Sequence, residues 1–208
     1  LRGGTHVHVW SQDLKYLSFT YDDEVLLQSA MHNVDGDTNQ RNVAIAMCET
    51  AVDVPNRHPR NHSGTAYSVV VTKTVNEPTP GTDEILKACE EGWIHKTPFS
   101  GGCKRPSEYS LVFQGTVVSE SGERIVEAFR VDLPKEIRPS DTRPLQGTIH
   151  RRPFPPVGTC QTRLTRTTNR KYPGIQGPRH WLRSNPYSSL VVSPLKDVCG
   201  CVQFWSLN

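Results

Sequence analysis

Short apolar and β-branched runs separated by turn residues dominate the chain, the pattern of strands rather than helices. Val7–Ser11 reads as a strand, Gln12-Asp13-Leu14-Lys15 as a turn, and Tyr16–Tyr21 as the returning strand. Glu24–Met31 and Asn42–Met47 are further strand candidates, with the polar loop Asn33–Gln40 between them. Val52–Gly64, rich in Pro, Asn, His and Arg, reads as an ordered loop. Tyr67–Val75 is a strand by its β-branched content. The spacing predicts one helix, Asp83–Glu91: Thr82 or Asp83 caps its first turn, Glu84 suits the positive end of its dipole, and Gly92 ends it. Thr97–Ser107 reads as a flexible insertion, and Tyr109–Val118 with Arg124–Leu133 as a hairpin turning at Gly122. After the Pro-rich connection Pro134–Gly158, Cys160–Thr168 has the polar, Arg-bearing character of an edge strand. His180–Ser184, Leu190–Leu195 and Cys201–Leu207 are the last strand candidates.

The strand pattern reads as all-β, and composition excludes the helical alternatives. The 16 prolines and 15 glycines among 208 residues interrupt the chain too often for a helix bundle or a coiled coil. No stretch approaches the ~18 unbroken apolar residues of a membrane span. Net charge is +3 but divided: residues 1–141 carry 14 basic and 20 acidic groups, residues 142–208 carry 10 and 1. The basic segment reads either as a polyanion surface or as a solvated, arginine-protected sheet edge. It lacks the aromatic–basic interleaving of single-strand binders, which argues against nucleic acid. The 6 cysteines permit disulfides, but a chain of this length does not need them, and they read as reduced or buried thiols. Cys199-Gly200-Cys201 is a weak metal signal without a second pair.

Two segments look like copies of one unit. His8-Val9-Trp10-Ser11-Gln12-Asp13 leads through a turn to Tyr16-Leu17-Ser18-Phe19, and Trp181-Leu182-Arg183-Ser184-Asn185-Pro186 leads to Leu190-Val191-Val192. Arg163-Leu164-Thr165 precedes the second copy and Cys201-Val202-Gln203-Phe204-Trp205 follows it. This order resembles the blade repeat of TolB-like β-propellers. A closer resemblance, to the YidR-like bacterial proteins, is carried by Leu1–Ser11, Ser18–Asp22, Arg57-His58-Pro59-Arg60, Pro80–Trp93, Tyr172–Ser184 and Val202-Gln203-Phe204-Trp205. It implies part of a TolB-like propeller with one short inserted helix. The approximate blades are 1–50, 57–168 and 178–208, with a helical insertion at 81–107. At ~40–45 residues per blade the chain supplies roughly two and a half to three blades, so further blades are needed to close a ring. Family members run longer at both ends and the chain opens at Leu1 rather than Met, which leads us to expect truncation at both ends. The compartment, cytoplasmic or periplasmic, is then unreadable.

In a propeller, loops entering the innermost strands gather at the channel mouth, and three such loops carry histidine. His6 and His8, spaced by two, are expected on one strand face. His180 lies four residues before Ser184, much as His6 and His8 lie five and three before Ser11. His6, His8 and His180 are the candidate ligands of a divalent metal (manganese, zinc or calcium). Kinship with oligogalacturonate lyases implies β-elimination on an acidic oligosaccharide, with His58 or His62 as base and Arg60, Arg179 or Arg183 pairing with carboxylate. The alternatives are that these histidines only hydrogen-bond within blades, and that the mouth is a non-catalytic scaffold for a protein or glycan partner. Trp10, Trp93, Trp181 and Trp205 read as blade-packing residues. No P-loop, H-E-x-x-H or G-x-S-x-G is present.

Overall fold

The computed structural model describes residues 3–32, 35–56, 62–94, 107–138 and 144–175, together with two strands of two residues each nearer the C-terminus. The first four-stranded antiparallel sheet is built in chain order from β1 (Gly3–Trp10), β2 (Tyr16–Asp23), β3 (Asn42–Val52) and β4 (Gly64–Val70). The second, again in chain order, comprises β5 (Lys87–Ile94), β6 (Ser110–Val118), β7 (Arg124–Asp132) and β8 (Cys160–Arg163). β9 (Ser188–Ser189) pairs with β10 (Trp205–Ser206). Sequential antiparallel order follows from the turns: Ser11–Lys15 reverses β1 into β2, and the Ser119–Glu123 loop, with Gly122 at φ 84, reverses β6 into β7. The polar strand at the Arg163 end is an edge strand, as its composition demands.

The sheets pack face to face. Val43, Ile45, Val69 and Val71 of the first meet Leu111, Phe113, Val117, Ile125, Phe129 and Val131 of the second, all 0–5% exposed. The rings of Phe113 and Phe129 stack at 5.7 Å. Trp93 Nε1 donates to Val9 O at 2.9 Å, fastening β5 to β1. The other face of the first sheet is buried as well, through Phe19, Tyr21, Ala44, Ala46 and Val70. That two-sided burial explains the nearly unbroken apolar run at the start of β3.

Several sequence expectations fail here. Asp83–Glu91 is not a helix. Leu86 N bonds Thr116 O, and from Lys87 onward the segment is β5, paired with β6. The cap-like residues close a turn instead: the Glu84 carboxylate accepts from Thr79 N and Oγ1, both at 2.9 Å. Sheet pairing and burial of Ile85 and Ala88 override a weak local preference. The helix is α1 (Glu24–Met31), a segment expected from the sequence to be a strand. Asp23 caps it by accepting from Leu26 N at 3.1 Å, and Gln28 Nε2 bonds Glu24 Oε1 at 3.0 Å. The reduced-thiol expectation holds for Cys48 and Cys89, which are free, and fails at Cys160, which is disulfide-bonded. Trp93 packs against the core, whereas Trp10 is 49% exposed. Trp181 and most of the Thr97–Ser107 insertion lie outside the described residues.

Candidate functional site

His6 stands opposite Thr20 on the face of the first sheet that meets the second, and its Nδ1 lies 3.8 Å from Asp22 Oδ2. His8 does not share that face. The register slips between His6 and Val9, where Val7 takes φ 57 in a β-bulge. The extra residue turns His8 to the opposite face, where Nε2 meets Thr5 Oγ1 at 3.0 Å and the ring lies 6.0 Å from that of Phe19. His62 lies just before Gly64, the partner of Val52 at the far end of β3, while His6 is level with Val43 through Thr20. At about 3.3 Å per residue that separates the two histidines by on the order of 25 Å along the sheet. So the structure brings His6, His8 and His62 to three different places. His58, Arg60, Arg179, His180 and Arg183 lie outside the described residues. No group of three or more His, Cys, Asp or Glu side chains among the described residues could hold a metal. His6 and His8, on opposite faces, do not fit a shared ion.

What the structure does assemble around Asp22 is a cleft of about 590 Å³ at one end of the two sheets. β2 ends there, β5 and β7 begin there, and the segment 38–41 leads into β3. Its walls include Asp22, Gln40, Arg41, Asn76, Lys87 and Arg124. Arg41 Nε lies 3.4 Å from Asp22 Oδ2, so this carboxylate sits between a cation and the His6 imidazole. Among the described residues Lys87 and Arg124 make no ion pair. The cleft therefore holds three cations and one carboxylate, leaving a surplus of positive charge beside amide side chains. Such a surface suits an anionic ligand that also offers hydroxyls. Arg41, Lys87 and Arg124 are far apart in the sequence, and no local motif marks them; only the convergence of three strand ends does.

A second cavity of about 680 Å³ lies on the other side of the Val75–Ile85 contact, walled by Val71, Ile85, Phe154 and Pro155. Its charged walls are Lys73, Asp83 and Glu84, one cation against two carboxylates, so it carries no surplus of positive charge. Asp83 pairs with Arg163 and Arg166, and Glu84 is held below the ordinary carboxylate range by the Thr79 hydrogen bonds, with Lys73 adding a smaller effect.

One further group is chemically unusual. Glu91 is 1% exposed between the sheets; Oε2 accepts from Thr20 Oγ1 at 2.8 Å, and Oε1 has no hydrogen-bond partner among the described residues. Burial raises its pKa to about 7, with the Thr20 bond opposing. It is too enclosed to touch a ligand.

Residues 1–62 match a family model described as a protein of unknown function (DUF3748). The chain is 40% identical over 212 residues to the uncharacterized protein YidR of Escherichia coli (strain K12). That alignment takes in 100% of this chain and 47% of the relative, so the chain spans about half the relative's length. No solved structure matches. By sequence the chain is thus similar over its whole length to about half of YidR, an uncharacterised protein, and at its N-terminal end to the DUF3748 family.

Proposed function

We propose that the two sheets are neighbouring blades of a TolB-like propeller and that the cleft at their common end binds an acidic oligosaccharide. Two consecutive four-stranded antiparallel sheets packed face to face are what adjacent blades supply. The single observation carrying the ligand class is the pair of cations, Lys87 and Arg124, that share the cleft with Arg41 and make no ion pair among the described residues. Uronate carboxylates take these cations, and sugar hydroxyls take Asp22 and the neighbouring amides. The cleft acts as a binding surface, with no metal required.

A second reading, β-elimination, draws on the His6–Asp22 pair, because a carboxylate beside an imidazole is the arrangement of a general base. Titration calorimetry with trigalacturonate and with neutral maltotriose tests binding, and ultraviolet absorbance of an unsaturated uronate tests elimination. The binding reading expects trigalacturonate alone to bind, more weakly as salt rises, and no unsaturated product. Lys87→Gln or Arg124→Gln should each weaken it about tenfold. Equal affinity for the neutral sugar overturns the ligand class. Product formation lost in His6→Ala moves the protein to the enzymatic reading.

A further inference from the structure

One buried guanidinium organises the wall of this cleft. Arg152 is 6% exposed and comes from the Pro-rich connection, far from any strand. Its Nη1 donates to Thr74 Oγ1 at 2.7 Å and to Gln40 Oε1, and its Nη2 donates to Asn76 Oδ1. Its Nε lies 3.5 Å from Asp37 Oδ2, and its backbone N donates to the same oxygen at 2.8 Å. These acceptors belong to two segments, 37–40 and 74–76, which also hydrogen-bond to each other directly.

The acceptors are themselves tied to the cleft. Asn76 Oδ1 also receives Thr38 N at 3.1 Å and Thr38 Oγ1 at 3.2 Å, and Gln40 Nε2 donates to Val75 O at 2.9 Å. Gln40 leads directly into Arg41, whose carbonyl receives Ala88 N at 2.9 Å. The Arg41 backbone is thus joined to β5 beside Lys87, and the residue before it to the network centred on Arg152. Burial lowers the Arg152 pKa from its ordinary value, with Asp37 opposing.

Taking the ligand reading above as its basis, we propose that Arg152 is a positioning residue: its planar fork holds segments 37–40 and 74–76 together and so presets the spacing of the ligand-binding cations. Fork geometry, not charge alone, is what the role requires, so lysine cannot replace it.

The test compares wild type, Arg152→Lys and Thr74→Val in the full chain. It uses trigalacturonate titration at several salt concentrations and amide hydrogen exchange without ligand. The expected result for Arg152→Lys is a roughly tenfold loss of affinity with an unchanged salt slope, because Arg41, Lys87 and Arg124 remain. Exchange should quicken at residues 36–41 and 74–76 and stay unchanged in β6 and β7. Thr74→Val, which removes one acceptor, should shift both readouts the same way by about threefold, and it decides the matter should Arg152→Lys not fold. A purely structural role would lower the melting temperature while leaving affinity well below it unmoved. Binding by Arg152→Lys equal to wild type overturns the proposal. Should wild type not bind trigalacturonate, the ligand reading falls and exchange alone decides: protection at 36–41 and 74–76 identical to wild type overturns the positioning role.

Discussion

Thr20 Oγ1 donates a 2.8 Å hydrogen bond to Glu91 Oε2 across the contact between the two sheets, and among the described side chains it is the partner of the buried carboxyl. Burial lifts the Glu91 pKa from 4.5 to about 7. Between those values the unfolded chain has lost the proton and the folded chain keeps it. Stability therefore falls as pH rises through that window and levels off above about 7, by on the order of 2–3 kcal/mol. Glu91→Gln keeps an acceptor for Thr20 and removes the titration. Its denaturation midpoint should match wild type near pH 5 and exceed it at pH 8. Parallel midpoint-against-pH curves for the two proteins would refute this.

Tyr109 ties the sheets at the opposite end. Its hydroxyl donates to Asp13 Oδ2 at 2.6 Å, and its ring meets that of Tyr16 edge-on at 4.6 Å. Asp13 also accepts from Ser11 Oγ at 2.8 Å and Lys15 N at 3.3 Å. The Tyr109 bond, with the Ser11 and Lys15 contacts, holds the Asp13 carboxyl down at about 2. A carboxyl lowered from 3.8 contributes stability above that value and loses it as pH falls towards about 2. Asp13 is 38% exposed, so solvent screening trims the effect. Tyr109→Phe should cost about 1 kcal/mol at pH 7 in chemical denaturation, and the gap should narrow at pH 2–3. A gap independent of pH would mean that ring packing alone is lost.

Much of the strand content was legible because those strands announced themselves locally: β6 and β7 through alternating apolar residues around Gly122, and β3 through its Val-Ala-Ile-Ala run. The helix was misplaced because both segments carry caps. Asp23 before Glu24–Met31 and Thr82 before Asp83 look alike until β6 is present to pair with Lys87–Ile94. The bulge at Val7 was invisible, since alternation in His6-Val7-His8 suits a regular strand equally well. The cleft could not be read at all. Its cations come from the start of β3, the start of β5 and the start of β7, and its organiser, Arg152, sits in a segment that composition marks only as loop.

Gly115 is fixed by what surrounds it rather than by its backbone. A Cβ there would lie 2.5 Å from Phe129 Cδ2 and 3.1 Å from Ile85 Cγ2, inside the core that joins the sheets. The Phe129 ring stacks on Phe113 and cannot withdraw without opening that contact. Gly115→Ala should destabilise by about 1–3 kcal/mol through overpacking. Urea midpoints check it. A companion Phe129→Leu change should recover part of the loss, and additive effects of the two would argue that the ring is not the obstacle.

Glu127, fully buried in β7, is held from three directions. Arg163 Nη2 lies 3.1 Å away, Thr167 donates from N at 2.7 Å and from Oγ1 at 2.9 Å, and the Thr165 hydroxyl bonds Oε2. Arg163, itself 5% exposed at the side chain, also reaches Asp83 at 3.3 Å and so joins the edge strand β8 to the turn before β5. Such a pair is costly to break by halves. Arg163→Met leaves a buried carboxylate without its cation and should cost about 3–5 kcal/mol. Arg163→Met with Glu127→Leu removes both charges and should recover a large share, although Thr165 and Thr167 then lose an acceptor. The measurement is a double-mutant cycle in urea. A coupling energy near zero would show that the threonine hydrogen bonds, not Arg163, stabilise the Glu127 carboxylate and that β8 is held by its strand pairing alone.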